Sequence, residues 1–427
     1  MFISFEDQEV TGSKDGSSAL PVSGYTLPDF QPLATEFCSL MRNGYERLGC
    51  SFAVYYRGYL VAHMWAGYAD EKRTKRWEEN TNTVLFSCTK SISTIVFHYL
   101  LDKHEISVDE KITEFWPEYG QHGKDETTII NVLSHQAGLP YTTGGPLSRE
   151  DVNDPERMGK YFEEAKPIWE PGAHSGYHAL TYGFLLDQIA RRIDTKNRGI
   201  AQILQEDIMF PYVITSLSIG RPEEDCKIAT VVQPTDEDLE KAKLEEPEAY
   251  RRYMLGCNDH LDRLYQQWDW ITLDEYNNPE NQKMAMPSNM GIGNAQGLAQ
   301  LHSLLAKKRL MSEEFYDMVE EPVLENEIDI INGYEENKGY GWQYTKNRWG
   351  EWCFGHSGHG GQNVKVDVSH KLAFAFVCNG LHIADADLVP TFARLQEKLY
   401  DCIEKIETFA WRISGPDRNI KTKGINS

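Results

Sequence analysis

The chain has 427 residues, and 43 lysines and arginines against 65 aspartates and glutamates give a formal net charge of −22. With 41% hydrophobic and 25% charged residues, the composition is that of a globular protein, which excludes wholesale disorder and collagen-like repeats. Because so acidic a surface repels phosphate backbones and anionic membranes, we expect neither nucleic acid nor a membrane as a partner.

The cysteines and the N-terminal segment predict a cellular location. Eight cysteines are scattered along the chain without a C-x-x-C pair, which argues against a disulfide scaffold and a zinc site. The first 41 residues contain one basic residue, Lys14, and lack the pattern of a secretory signal or a mitochondrial presequence. No apolar run approaches the length of a membrane span. We therefore predict a cytoplasmic protein without a metal or another cofactor.

The first predicted elements are a tail, a helix and a hairpin. Residues 1 to about 24 are polar and rich in glycine and serine, which predicts a flexible tail. Residues 33–48 repeat apolar side chains at helical spacing and predict an amphipathic helix. Residues 50–56 and 59–67 are rich in valine and aromatic residues, and the turn residues Arg57-Gly58 separate them, so they predict two paired strands.

The rest of the chain changes from helical to strand character. Helical spacing begins directly after Ser87, and the stretch to about residue 330 is mostly helical and rich in loops. Strand character returns near residue 335, and an amphipathic helix follows the last strand. Strands at both ends of the chain predict a mixed α/β fold of the α+β type. Its mostly antiparallel sheet, built from N- and C-terminal strands, is flanked by helices and contains an inserted helical region.

The same pattern predicts the domain organisation. A single domain spans residues 25–412, with its sheet region at about 30–80 and 335–410 and its helical region at about 88–330. Residues 413–427 are expected to form a C-terminal tail.

The segment Phe86-Ser87-Cys88-Thr89-Lys90 contains an S-x-x-K pair at the start of a predicted helix. Residues three apart on a helix have Cβ atoms about 5–6 Å apart, so the Ser87 hydroxyl and the Lys90 amine are predicted neighbours. A helix N-terminus favours a developing alkoxide, and a partly desolvated lysine can accept the serine proton. Taken alone, the tetrapeptide is more typical of a helix-capping serine followed by a solvent-facing lysine than of a catalytic pair.

Two other patterns are weaker. His174 and His178 have the spacing of zinc ligands on a helix, but Pro171-Gly172 precedes them and no acidic ligand is near. Residues 355–359 approach the G-x-S-x-G turn of hydrolases, with a histidine in place of the last glycine. We expect neither a metal site nor this turn.

Further motifs follow the S-x-x-K pair in a fixed order. They are Thr128-Ile129-Ile130-Asn131-Val132-Leu133-Ser134-His135-Gln136-Ala137-Gly138-Leu139-Pro140, Tyr177-His178-Ala179, His356-Ser357-Gly358 and Val377-Cys378-Asn379-Gly380. The series resembles the serine β-lactamase and penicillin-binding-protein superfamily, specifically its class C branch and the related β-lactamase-fold carboxylesterases. The resemblance covers roughly residues 30 to 400.

This resemblance implies roles for individual residues. Ser87 is the expected acyl-accepting nucleophile, and Lys90 lowers its proton affinity. Tyr177 is the expected general base in acylation and the acid toward the leaving group. His356, in His356-Ser357-Gly358, occupies the position at which the family's third motif has a lysine or a histidine.

The resemblance also implies an oxyanion hole. Two backbone N–H groups are expected to form it, those of Ser87 and His359. Gly358 is expected to let substrate approach the strand closely. His135, in the segment 128–140, is expected to fix a loop by hydrogen bonds.

Two departures from the class C pattern point away from antibiotic hydrolysis. Ala179 stands where β-lactamases have an asparagine that holds the β-lactam side-chain carbonyl. His356 replaces a lysine, so a fixed cation facing the β-lactam carboxylate is lost unless the imidazole is protonated. Both changes are similar to those of the esterase branch.

The leading hypothesis is a serine hydrolase that cleaves small acyl esters through an acyl-enzyme on Ser87. The alternatives are a peptidase or amidase of the same fold, and a structural, self-assembling protein with little turnover, which would form a homo-oligomer. The expected partner is a small-molecule ester or amide. We expect residues 140–170 and 220–290 to shape its pocket.

Overall fold

The computed structural model describes residues 1–6, 20–142, 144–222 and 226–414. The strands are β1 Ile3–Glu6, β2 Val22–Thr26, β3 Cys50–Tyr56, β4 Tyr59–Ala66, β5 Thr83–Val84, β6 Leu217–Ile219, β7 Gly291–Gly293, β8 Leu324–Ile328, β9 Glu335–Gly339, β10 Trp342–Lys346, β11 Trp352–Gly358, β12 Gln362–Asp367 and β13 Leu372–Cys378. Within the described ranges, ten of them form one antiparallel sheet in the order β1-β2-β4-β3-β13-β12-β11-β10-β9-β8. A small sheet has the order β5-β7-β6.

The α-helices lie mostly between the two groups of strands. They are α1 Gln31–Arg42, α2 Cys88–Lys103, α3 Ile129–Leu133, α4 Arg149–Asn153, α5 Pro155–Glu164, α6 Thr181–Ile193, α7 Ile200–Ile203, α8 Phe210–Tyr212, α9 Asp236–Glu245, α10 Pro247–Gly256, α11 Asp259–Gln267, α12 Pro279–Gln282, α13 Ala295–Ala306, α14 Glu313–Met318 and α15 Pro390–Ser414. The predicted α+β fold, with one antiparallel sheet built from both ends of the chain, is confirmed.

The two faces of the sheet carry side chains of different size. Along β13, Leu372, Phe374 and Phe376 point into the core beneath α1 and α15. Ala373 and Ala375 point to the opposite face, where α13 packs. The alanines let α13 approach the sheet closely, and the phenylalanines fill the wider space on the other side. Because both faces are covered, the strand is apolar along its whole length.

The prediction of a flexible N-terminal tail is wrong for the residues that form β1 and the start of β2, because these strands pair within the large sheet. In β1, Ile3 pairs with Thr26 of β2, and in β2, Val22 pairs with Ala66 of β4. Edge pairing depends on main-chain hydrogen bonds, which polar and glycine-rich residues make as well as apolar ones. The rest of the predicted tail, residues 7–19, lies outside the described residues.

Other boundaries also shift. The helix predicted for residues 33–48 ends at Arg42. Strands β6, β7 and β8 lie within the region predicted to be helical. Helix α15 continues to Ser414, past the predicted domain end, and the remainder of the predicted C-terminal tail is outside the described residues. No helix in the described ranges is long and apolar enough to cross a membrane.

Replacing Phe374 with alanine tests the packing beneath α15. Its fully buried ring stacks on Phe392 of α15 with centroids 5.8 Å apart. We expect Phe374→Ala to lower the free energy of unfolding by about 3–5 kcal/mol, because it removes buried surface and leaves a cavity. The matched Phe210→Ala, at a residue 84% exposed, should change it by about 0.5 kcal/mol or less. Equal losses in urea unfolding would contradict this packing.

Candidate active site

Ser87 lies at the N-terminus of α2, on a turn that leaves the small sheet. Phe86, directly before it, has a φ of 44°, a left-handed conformation that is strained for a residue with a side chain. The hydroxyl of Thr89 donates to the Phe86 carbonyl at 2.5 Å and accepts from the N–H of Gly291 in β7 at 2.7 Å. These contacts hold the strained turn and fix the position of Ser87.

The Lys90 side chain is fully buried beside Ser87. Its Nζ lies 2.6 Å from the carbonyl oxygen of Ala179, 3.1 Å from that of Ser288 and 3.3 Å from Ser87 Oγ. A neutral amine has two N–H groups, which match the two carbonyls, and its lone pair is then left for Ser87 Oγ. Burial holds the pKa of Lys90 well below its ordinary value, which favours this neutral form.

Tyr177 covers the other side of the lysine. Lys90 Nζ is 4.8 Å from the centre of its ring, and the ring of His356 is 6.1 Å away, centre to centre. Burial raises the pKa of Tyr177 well above its ordinary value, a hydrogen bond with Ser87 opposes the shift, and the charges of Glu336 and Asp385 add to it. At neutral pH the side chain is therefore a phenol.

An ion pair inside the protein holds the Tyr177 loop. The Asp329 carboxylate accepts a hydrogen bond from the Tyr177 N–H at 3.1 Å, and it pairs with the buried amine of Lys338. Lys338 also pairs with Glu336 at 2.9 Å. Nothing in the sequence identified Asp329 or Lys338, because in an acidic chain they resemble ordinary surface charges.

Two buried histidines hold the same loop through hydrogen bonds. The Nδ1 of His135 accepts a hydrogen bond from the His178 N–H at 3.1 Å, as expected for a loop-fixing residue. His178 donates from Nδ1 to the Gly176 carbonyl at 2.6 Å, and its Nε2 accepts from the Leu139 N–H at 2.9 Å. Both ring nitrogens of His178 are thus used within the protein, and burial lowers its pKa to about 3.

His356, on β11, is a neutral imidazole. It is 3% exposed, and its Nδ1 donates to the carbonyl of Ser357 at 2.6 Å. Burial and the neighbouring Lys90 lower its pKa to about 3. The sequence left open whether His356 is protonated. With this pKa the imidazole is neutral at neutral pH, so it provides no cation for a substrate carboxylate.

The two N–H groups of the predicted oxyanion hole are unused. In the described part of the chain, neither Ser87 nor His359 donates its backbone N–H to a protein acceptor. The His359 ring lies 5.7 Å from that of Phe86, centre to centre, which places the end of β11 beside the Ser87 turn. A Cβ on Gly358 would lie 2.5 Å from the carbonyl oxygen of Leu85. The absence of a side chain at Gly358 is therefore required by the approach of β11 to the Ser87 turn.

A two-part cleft opens above these residues. An inner cavity of about 220 Å³ is lined by Ser87, Tyr177 and His359, and an outer one of about 510 Å³ shares Tyr177 and His359 with it. The outer walls include much of α10 and α11, as expected for residues 220–290, whereas Pro140 and Tyr141 are the described residues of the predicted 140–170 segment that line the outer cavity. Segments 331–337 and 383–388 also line it, and the sequence did not predict them.

The structure thus brings Ser87, Lys90, Tyr177 and His356 together at one end of a cleft. Comparison with known proteins agrees with this arrangement, because residues 37–398 match the model of the Beta-lactamase family. The chain belongs to that family.

Several proteins similar to this chain are esterases or penicillin-binding-protein homologues by name. The esterase/beta-lactamase LipL of Mycobacterium tuberculosis is 31% identical over 233 residues, which cover 54% of this chain and 53% of LipL. A crystal structure of a family VIII carboxylesterase is 24% identical, has a TM-score of 0.76 and covers 89% of this chain and 99% of that one. A penicillin-binding-protein homologue from Caulobacter crescentus is 26% identical, with a TM-score of 0.72 and coverage of 89% and 99%. The chain spans about half the length, or less, of the curated relatives it matches.

The burial of His356 predicts a pH dependence of stability. Its pKa is about 3 in the folded protein and 6.5 as an unperturbed side chain, so the unfolded chain binds the proton first. Stability should fall as the pH drops below 6.5, by up to about 1.4 kcal/mol per pH unit for this group. In urea unfolding between pH 7 and 4.5, His356→Gln should lose less stability than wild type. The exposed His174→Gln should keep the wild-type slope, and identical slopes for all three would contradict the neutral, buried His356.

Proposed function

We propose that this protein is a serine hydrolase that cleaves small acyl esters through an acyl-enzyme on Ser87. The observation that carries the proposal is the buried Lys90 amine, 3.3 Å from Ser87 Oγ with two carbonyls as its other partners. A serine hydroxyl becomes a useful nucleophile when a neighbouring base accepts its proton. This amine has the position for that task, and burial, which lowers its pKa, favours the unprotonated form that the task requires.

In the first step, Ser87 Oγ attacks the ester carbonyl carbon while its proton passes to Nζ of Lys90. The carbonyl double bond opens to a tetrahedral oxyanion. The N–H groups of Ser87 and His359 have no competing acceptor in the described residues and can donate to that oxygen. Donors held in place before charge develops lower the barrier without reorganising during the reaction.

In the second step, the C–O bond to the alcohol breaks and the alcohol oxygen needs a proton. Tyr177 is a phenol at neutral pH because burial raises its pKa, so we assign it the role of acid and not that of the initial base. It gives its proton to the leaving alcohol and regains one from the ammonium of Lys90, whose Nζ lies near its ring. Water then attacks the acyl-enzyme, and the same groups return the proton to Ser87.

Several features favour esters over β-lactam antibiotics. Ala179 offers its backbone carbonyl to Lys90 and has no amide side chain for a β-lactam. His356 is neutral and provides no charge for the β-lactam carboxylate. Two proteins similar to this chain, an esterase/beta-lactamase and a family VIII carboxylesterase, support the same direction.

We also propose that residues of about 25–412 act as one catalytic domain on a small-molecule substrate, without a cofactor. A cytoplasmic location fits the eight cysteines, all of which are free thiols.

Labelling with a fluorophosphonate tests the nucleophile. The wild-type protein should gain the mass of one phosphonyl group on Ser87, and Ser87→Ala should neither be labelled nor hydrolyse p-nitrophenyl acetate. Ser107→Ala, on an exposed loop, is the control and should react like wild type. A labelled Ser87→Ala, or one with the full wild-type rate, would overturn the proposal.

The leaving group separates the roles of Lys90 and Tyr177. A p-nitrophenolate departs without a proton, whereas an ethoxide needs one. Tyr177→Phe should therefore lose about 100-fold more kcat/KM on ethyl acetate than on p-nitrophenyl acetate. Lys90→Met removes the base for the attack, so it should lower both by similar factors of about 100 or more. Equal losses in Tyr177→Phe for the two esters would contradict the acid role.

A further inference from the structure

One carboxylate in the cleft has no part in the proposed chemistry. Asp385 follows β13 and lines both cavities, the inner one together with Ser87 and Tyr177. Its Oδ1 accepts a hydrogen bond from the Gly360 N–H at 2.9 Å, which fixes its position next to the oxyanion segment.

In the described ranges this carboxylate forms no ion pair with a lysine or an arginine, and the groups whose charges act on it are the rings of His359 and His382. Two residues further along, Asp387 pairs with the buried Lys365, and three residues before, His382 pairs with Glu46. Among the residues that the structure describes, Asp385 has no ion-pair partner. Its side chain is exposed where it lines the two cavities, so its negative charge faces the cleft.

The other charges of the cleft do not cancel it. Glu336 pairs with Lys338 at 2.9 Å, and Arg252 pairs with Glu248 at 2.9 Å. Glu335 is exposed at the outer rim and adds further negative charge. The net charge of the groups that line the cleft is therefore negative.

Aromatic rings form the walls around this charge. Tyrosine side chains from several elements line the outer cavity: Tyr141, Tyr177, Tyr253, Tyr265, Tyr334 and Tyr344. The faces of aromatic rings attract cations, and walls of this kind combined with a carboxylate bind ammonium groups. The ring of Tyr334 already has such a contact, since the Arg252 guanidinium lies 4.7 Å from its centre.

We propose that Asp385 selects substrates that carry an organic cation, a primary or quaternary ammonium group, in the acyl or the alcohol part. The ammonium pairs with the Asp385 carboxylate while the ester carbonyl lies at Ser87. A substrate carboxylate at the same place is repelled. This inference rests on the proposed hydrolase function, which it extends to a substrate class.

Matched substrate pairs test the selection. Acetylthiocholine and its carbon isostere 3,3-dimethylbutyl thioacetate differ by one charge in the alcohol part. D-Alanine ethyl ester and ethyl propionate differ by one ammonium group in the acyl part. We expect kcat/KM to favour the cationic member by at least about tenfold in one of the pairs, because a charge-assisted contact in a cleft is worth that much.

The variant Asp385→Asn keeps the shape and removes the charge. We expect the preference to fall to about twofold or less. Asp109→Asn, an exposed carboxylate that lines neither cavity, changes the net charge equally and should keep the full preference. Melting curves of both variants establish that they fold. A wild-type protein without preference in either pair, or a preference that survives Asp385→Asn, overturns the proposal.

A binding measurement that requires no hydrolysis tests the role of Asp385 independently of the proposed function. Choline should raise the melting temperature of wild type and of Ser87→Ala more than 3,3-dimethylbutanol does, and this difference should vanish in Asp385→Asn. Equal shifts for the two alcohols overturn the assignment of Asp385. If Ser87→Ala retains hydrolysis of p-nitrophenyl acetate, the nucleophile is wrong, and the choline result still decides the role of Asp385.

Discussion

The contact on which the rest of the site depends is the one between the buried amine of Lys90 and the carbonyl oxygens of Ala179 and Ser288. An amine with no access to water is costly to bury unless each of its N–H groups finds an acceptor. These two carbonyls supply the acceptors and tie three parts of the chain together: α2, the loop before α6 and the segment before β7. The same arrangement leaves the lone pair of the neutral amine toward Ser87.

A second set of buried charges maintains the geometry around that amine. Asp329 and Lys338 lie near β8 and β9, and their pair holds the main chain of Tyr177. Such a buried pair is weak evidence for stability, because its desolvation offsets much of the attraction. Its value here is positional, since it fixes a loop that has little regular structure of its own.

The sequence predicted the parts of the molecule that depend on local pattern. Apolar periodicity gave the strands of the central hairpin and the buried α2, and the motif series predicted which residues meet at the site. The sequence did not predict interactions between residues that are far apart in the chain. Asp329 and Asp385 look like any other acidic residue, and only folding places one beneath Tyr177 and the other in the cleft.

Packing and main-chain pairing explain three further features that the sequence did not predict correctly. The role of Gly358 was expected to concern the substrate, but the neighbour that excludes a Cβ is the Leu85 carbonyl. Likewise, the protonation of His356 depends on its burial, which a motif does not reveal. The N-terminal strands were missed because main-chain pairing leaves a weak signature in side chains.

The hydrogen bonds of the site join residues that are far apart in the chain. Cys88, next to Ser87, contacts the carbonyl of His356, which lies 268 positions later, and Tyr177 is held from 152 positions away. A growing chain therefore contains Ser87 long before it contains the residues that surround Ser87 in the folded protein. The contacts between α2 and the late part of the site form only once β11 packs against α2. A chain that ends before β11 therefore lacks His356 and the strand that packs against α2.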